Sequence, residues 1–191
     1  MNKNGDTALK SHRPGKVRII GGKWRSRKLP VPETAMLRPT PDRVRETLFN
    51  WLQPVISGAS CLDLYAGTGS LGLEAVSRGA SSVVLVENDP ALVNQLAENI
   101  KTLDTTEACL ERSEALSWLK HNTRQFDVVF LDPPFGQGLI EKSCDLLREM
   151  NCLKPRALIY IEAEQGLQLP SYLTIKKQGK AGQVKYMLAG V

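Results

Sequence analysis

The segment Leu62-Asp63-Leu64-Tyr65-Ala66-Gly67-Thr68-Gly69-Ser70-Leu71-Gly72 constrains this chain more than any other. An apolar stretch runs into G-x-G-x-x-G, and an amphipathic run continues to Gly79. Glycines at that spacing let the backbone turn sharply from a strand into a helix and pass close to a ligand. A strand feeding such a turn is covered on both faces, which calls for a parallel sheet flanked by helices.

The residues that follow supply that sheet. Strands are expected over Cys61–Tyr65, Ser82–Glu87, Glu107–Leu110, Val128–Leu131 and Ala157–Glu162, and helices over Ser70–Arg78, Pro90–Lys101, Ser113–His121 and Ile140–Met150. Repeated βα units imply an α/β, Rossmann-like winding. The end breaks the pattern: Leu173–Lys177 and Val184–Leu188, separated by Gln178–Gln183, predict an antiparallel strand pair.

The ligand of the glycine loop is a choice between two charges. Glu87 ends the next strand 18 residues after Gly69, which suits the ribose hydroxyls of a dinucleotide, and a bare structural turn is the plain alternative. Asp63 argues against a dinucleotide, because no Lys or Arg in the loop offsets a carboxylate beside a pyrophosphate. S-adenosylmethionine reverses the demand, since its sulfonium and ammonium are positive. The expected contacts are Asp63, Ala66, Gly67 and Gly69 near the methionine part and Glu87 on the ribose, with Asp132 further along the chain also counted among the cofactor residues. Asn88 and Glu114 fall where the adenine would lie, with Glu114 accepting from its amino group.

Residues 126–138 read FDVVFLDPPFGQG. Asp132 would stand at the carboxyl end of a buried strand, and Pro133 and Pro134 stop pairing there while leaving their carbonyls free. Ligands collect at that edge of an open α/β sheet. An exocyclic amine on a flat base matches this turn: Asp132 accepts one amino hydrogen, the Pro133 carbonyl accepts another, and Phe135 stacks on the ring. A capped strand end with a packed phenylalanine is the plain alternative.

The net charge of +5 is uneven: residues 1–50 carry +8, and Lys10 to Lys28 hold eight cations and no acid. Val17-Arg18-Ile19-Ile20-Gly21-Gly22-Lys23-Trp24 mixes apolar residues with charge, so a short hairpin turning at Gly21-Gly22 and presenting Lys23, Arg25, Arg27 and Lys28 is expected, with phosphates as its partners. Thr40 to Leu52 reads as a helix with Thr40 as N-cap and Val44, Leu48 and Leu52 on one face. Arg43 and Arg45 lie off that stripe and, with Arg38, extend the basic surface. The organisation expected is a tail over 1–15, a basic extension over 16–53 and a core over 54–191. The four cysteines lack C-x-x-C spacing and the two histidines are far apart, so no metal site is expected. A polar amino terminus and the lack of any apolar stretch near 20 residues predict a cytoplasmic protein, and a monomer is expected.

With these segments in place, the chain resembles the RsmD family of small bacterial methyltransferases, which modify the N2 amine of a guanine in 16S ribosomal RNA. The likeness runs from about Val17 to Leu188 through RIIGGKWRSRKLPVP, LRPTPDRVRETLFNWL, LDLYAGTGSLGLEA, FLDPPFGQG and AGQVKY. It implies a class I methyltransferase core of seven strands, S-adenosylmethionine as donor and a small ribosomal subunit as substrate. It carries Asp63, Gly67, Gly69 and Glu87 over as cofactor residues and Asp132, Pro133 and Phe135 as those of the chemistry. The loop after Phe135 holds Gly136-Gln137 and no cation.

Three other readings stand beside this one. A nicotinamide oxidoreductase leaves the Asp-Pro-Pro-Phe turn and the basic arm unused. A DNA adenine-N6 methyltransferase shares the amine chemistry but needs a larger recognition segment than 191 residues leave room for. A non-catalytic RNA-binding assembly factor explains the arm and has no need of Asp132.

Overall fold

A computed structural model describes residues 15–32 and 40–191. The tail over 1–14 and Arg38 lie outside them. The chain opens with β1 (Lys16–Arg18) and β2 (Lys28–Pro30), an antiparallel pair joined through a single 3-10 turn at Gly22–Trp24. Then come α1 (Asp42–Leu52), β3 (Ser60–Asp63), α2 (Gly72–Ser77), β4 (Ser82–Glu87), α3 (Pro90–Leu103), β5 (Ala108–Arg112) and α4 (Ala115–His121). β6 (Phe126–Leu131), α5 (Leu139–Glu149), β7 (Leu153–Glu164), β8 (Thr174–Ala181) and β9 (Val184–Gly190) complete it. No helix among the described residues is long and apolar enough to cross a membrane.

The seven-stranded sheet has the order β5-β4-β3-β6-β7-β9-β8. β3 to β7 are parallel, and β9 and β8 add to β7 antiparallel. Side chains alternate across each strand, so every central strand feeds two cores. Cys61, Val83, Leu85, Val128, Phe130 and Tyr160 face α1, α2 and α3, whereas Leu62, Val84, Val86, Val129, Leu131 and Ile159 face α4 and α5. Each of these large side chains, once closed from water, contributes about 1.5–3 kcal/mol. β4 and β5 lie on one side of β3, and β6 and β7 on the other. The winding therefore reverses between β3 and β6, and a crevice opens at their carboxyl ends.

The basic extension packs into the first of these cores. Ile19, Trp24 and Leu29 join Leu73 and Val76, and from α1 come Val44, Leu48, Phe49 and Leu52. Gly22 has φ +75 and sits so close to α2 that a Cβ there would come within 1.8 Å of the Ser77 carbonyl oxygen. Only glycine fits.

Three local expectations are corrected. Gly21-Gly22 is not a two-residue hairpin turn, because the Gly22–Trp24 turn is docked on α2: Ser77 Oγ donates to the Gly21 carbonyl at 2.6 Å and accepts from Trp24 N–H at 3.0 Å. Gln178–Gln183 is not a loop; β8 continues to Ala181 and the chain reverses at Gly182-Gln183, where Gly182 takes φ +60. β7 begins at Leu153, ahead of Pro155, and the register slips opposite Phe126–Val128 with Arg156 at φ +66. Proline cannot donate to the ladder, and the irregularity absorbs it.

Candidate active site

A cavity of about 800 Å³ occupies the crevice at the carboxyl ends of β3, β4 and β6. Its wall carries four acids, Glu87, Asp89, Glu114 and Asp132, and no lysine or arginine among the described residues. A cationic ligand is favoured there and a pyrophosphate is not.

Glu87 closes β4 with both carboxylate oxygens engaged. Oε2 accepts from Gly67 N–H at 2.8 Å, and Oε1 from Asn88 and Asp89 N–H at 2.8 and 2.9 Å. These bonds hold the carboxylate at the cavity wall, and Oε2, which accepts only one N–H, keeps a lone pair for a hydroxyl. Asn88 lines the same wall. Asp89 accepts from Ala91 and Leu92 N–H as the N-cap of α3. Glu114 caps α4, accepting from Leu116 N–H at 3.0 Å and Ser117 N–H at 2.7 Å. It reaches the cavity as a capping acid.

The glycine loop divides between ligand side and protein side. Gly67 lines the cavity, while Ala66 is buried beneath it and Gly69 packs against Leu73 and Leu96. Asp63 is not on the cavity wall. It faces the same way as Leu85 and Phe130, its partners in the sheet, and Oδ2 accepts from Gly72 N–H at 2.9 Å. A Cβ on Gly72 would stand 2.4 Å from Leu85 Cδ2, so the loop's last glycine lets α2 begin against the sheet. Burial pushes the Asp63 carboxyl up to about 7, against the Gly72 bond, with Glu87 adding to the rise. Through Oδ2 this residue also anchors the glycine loop to β3.

At the end of β6, Leu131 pairs with Ile161 of β7, so Asp132 stands beside Glu162 on the same face. The Thr40 hydroxyl lies 2.8 Å from Glu162 Oε1 and 3.3 Å from Asp132 Oδ2, and Tyr160 donates to Glu162 Oε1 at 2.8 Å. Thr40 is therefore no N-cap: α1 starts after Pro41 with no side-chain cap, and the hydroxyl is spent on the two acids. Burial, then Glu162 and Asp63, hold the Asp132 carboxyl well above the ordinary aspartate range, and burial raises Glu162. Glu162 and Thr40 escape a reading of local pattern. The signal was an acid two residues after Tyr160 in Leu158-Ile159-Tyr160-Ile161-Glu162, on the same face of an apolar strand.

Pro133 is buried, and among the described residues no backbone hydrogen bond uses its carbonyl. Phe135 is 47% exposed on the cavity wall, with Gly136 N–H held by Glu164 at 3.1 Å. An apolar ring left open beside an enclosed carboxylate is a contact surface in waiting.

The basic residues scatter. Arg25, Arg27, Lys28 and Arg43 are exposed, and none forms an ion pair with a described residue. Lys23 is also exposed, but its ammonium is 2.9 Å from Glu107 and over the Trp24 ring. Thr105 and Lys23 hold the Glu107 carboxyl down at about 2. Glu107 precedes β5, so Lys23 sits at the end of the sheet away from the cavity. Arg45 is corrected outright: it is 2% exposed, with Nη2 on Asp42 at 2.5 Å and Nη1 3.9 Å from Glu74. The face of α1 turned to the core is wider than the Val44-Leu48-Leu52 stripe, and Arg45 lies inside it.

The family model described as conserved hypothetical protein 95 matches residues 17–190. Ribosomal RNA small subunit methyltransferase D of Escherichia coli K12 is 50% identical over 177 residues, spanning 91% of this chain and 89% of that protein. The chain belongs to the RsmD family. The Haemophilus influenzae protein of the same name is 50% identical over 180 residues, covering 91% of this chain and 93% of its own. Among solved structures, Escherichia coli yhhF matches at 49% identity with TM-score 0.86, over 92% of this chain and 98% of its own. A fold of this kind, with a mostly parallel seven-stranded sheet and an antiparallel carboxyl-terminal pair, is the methyltransferase fold expected for an RsmD member.

Proposed function

We propose that the chain transfers a methyl group from S-adenosylmethionine to the exocyclic N2 amine of one guanine in 16S ribosomal RNA, on an assembled or assembling small subunit in the cytoplasm. The observation that carries the reading is the pairing of a half-buried Asp132 with an exposed Phe135 on one wall of an acidic cavity. The family and the names of its RsmD relatives support ribosomal RNA as substrate.

The donor, when bound, supplies an electrophilic methyl on a sulfonium cation. The acidic wall fits that charge, and Glu87 offers acceptors to ribose hydroxyls while Gly67 lets the backbone run close to the methionine part. Phe135 stacks on the flat base. Asp132 accepts one hydrogen of the amine and the Pro133 carbonyl the other, which pulls the nitrogen lone pair out of conjugation and turns it toward the donor. After transfer the nitrogen is acidic, and its proton passes through Asp132 to the open cavity.

Asp132→Ala is expected to slow single-turnover methylation by roughly two or more orders of magnitude with little change in donor affinity. Mass spectrometry of nuclease digests, from cells with and without the protein, tests the product. The absence of one N2-methylguanine from 16S RNA supports the reading. A missing N6-methyladenine in DNA, or faster methylation of bare 16S RNA than of the particle, overturns it.

A further inference from the structure

Glu162 is 5% exposed and forms no ion pair with a described residue; its partners are the hydroxyls of Thr40 and Tyr160. A buried carboxylate held only by neutral groups is costly if ionised. The same Thr40 hydroxyl also reaches Asp132. A hydroxyl carries one proton and can donate to one of the two acids only. With both acids ionised, one of the two contacts sets oxygen lone pairs against lone pairs. A single proton on the pair removes the conflict. Placed on Asp132, it makes Asp132 donate to Thr40 and Thr40 to Glu162; placed on Glu162, it reverses both bonds.

We propose that Glu162 works as a neutral acid that donates through the Thr40 hydroxyl to Asp132, and so keeps Asp132 turned toward the amine as an acceptor. Glu162 and Thr40 are positioning residues, and the inference rests on the reading of Asp132 as the amine's acceptor. The exchange between the two arrangements balances internally. The Asp132 O–H bond breaks as that proton joins Thr40, the Thr40 proton joins Glu162 Oε1, and the pair keeps one negative charge throughout. Later, the proton shed by the methylated nitrogen goes to Asp132 and from there to water in the cavity.

The surroundings favour one shared proton. Asp63 on β3 adds a third acid facing Asp132, and Tyr160 on β7 and Tyr186 on β9 bring only phenols. The elevated carboxyls of both groups agree with one proton on the pair; in the free site Glu162 and Asp63 raise Asp132 and favour the proton there, and an amine hydrogen donated to Asp132 moves it through Thr40 to Glu162.

Single-turnover methylation of small subunits, at saturating donor and over a range of pH, tests the proposal with five proteins: wild type, Glu162→Ala, Glu162→Gln, Thr40→Val and Thr40→Ser. Loss of the donated bond in Glu162→Ala and Thr40→Val is expected to slow the reaction roughly 10- to 100-fold, as misplacement of a reacting group does. Glu162→Gln, which keeps a neutral donor, rescues most of the Glu162→Ala loss at neutral pH, and Thr40→Ser rescues Thr40→Val. The ratio of the Glu162→Gln rate to the wild-type rate rises with pH, because only wild type can lose the proton; the titration of guanine cancels in the ratio. A Glu162→Gln rate as low as Glu162→Ala, a ratio flat or falling with pH, or a wild-type rate in Thr40→Val overturns the proposal. Asp132→Ala measured alongside separates the two levels: an inactive Asp132→Ala with any of those outcomes sinks this inference alone, whereas an active one sinks the acceptor reading and this inference with it.

Discussion

Arg45 on α1 and Glu74 on α2 meet inside the protein, with Arg45 Nη1 3.9 Å from Glu74 Oε2 and both side chains closed from solvent. Glu74 also accepts from Ile20 N–H at 2.7 Å, Gly21 N–H at 2.8 Å and Arg78 Nε at 2.6 Å. One acid thereby ties the basic arm, α1 and α2 together. Removing one partner of a buried pair strands the other charge, so Glu74→Ala should cost about 3–5 kcal/mol in urea unfolding. Glu74→Gln should cost less and raise hydrogen exchange at Ile20 and Gly21. An exchange rate unchanged at those amides would mean that the clasp does not hold the arm.

Asp63 makes stability depend on pH with a definite sign. Its carboxyl is about 7 in the folded protein against an ordinary 3.8, so the folded state holds the proton more tightly than the unfolded one. The stabilisation is complete below the unfolded value and is lost as pH rises through about 7. The urea midpoint of the ligand-free protein should fall from pH 5 to 7.5. Asp63→Asn keeps an acceptor for Gly72 N–H and should flatten part of that slope, Asp132 and Glu162 supplying the remainder. An identical slope in the variant would assign it to other groups.

Glu87→Ala removes the acceptor of three backbone N–H groups as well as the proposed ribose contact. Calorimetry with the demethylated donor should show binding weaker by about 1–3 kcal/mol. NAD(H) binding more tightly than that ligand to the unaltered protein would displace the donor assignment.

Phe135 lies open on the cavity wall, so its truncation should spare the fold. Phe135→Ala is expected to cost about 1–3 kcal/mol in methyl transfer through lost stacking, with a melting temperature close to that of the unaltered protein. A large drop in melting temperature would make the ring a packing residue.

Exposure sorts the arginines and lysines of the arm. Replacing Arg25, Arg27, Lys28 and Arg43 together by alanine should flatten the log–log salt dependence of RNA affinity by about 3. Lys23→Ala should change it less, since Glu107 already holds that ammonium at 2.9 Å. A salt slope indifferent to the fourfold change would leave these cations as a solvated face.

Periodicity and turn chemistry alone carried the sequence to the α/β winding, the glycine turn at Gly67–Gly72, the antiparallel end and the carboxylate of Asp132 at a strand terminus. These are local: each depends on residues within about a dozen positions, where side-chain alternation, helical spacing and the φ of proline or glycine act directly. The tertiary structure decided what local pattern does not contain. Thr40 reaches Glu162 across 122 positions and Glu74 reaches Gly21 across 53, and both contacts follow from strand register and helix docking. The same long-range packing took Arg45 from a surface reading into the core and set Asp63 against Gly72 N–H, where it anchors the glycine loop. A charged residue's role depends on which way its strand or helix faces once the sheet has closed, and that orientation is set by the whole core and not by the residue's neighbours in sequence.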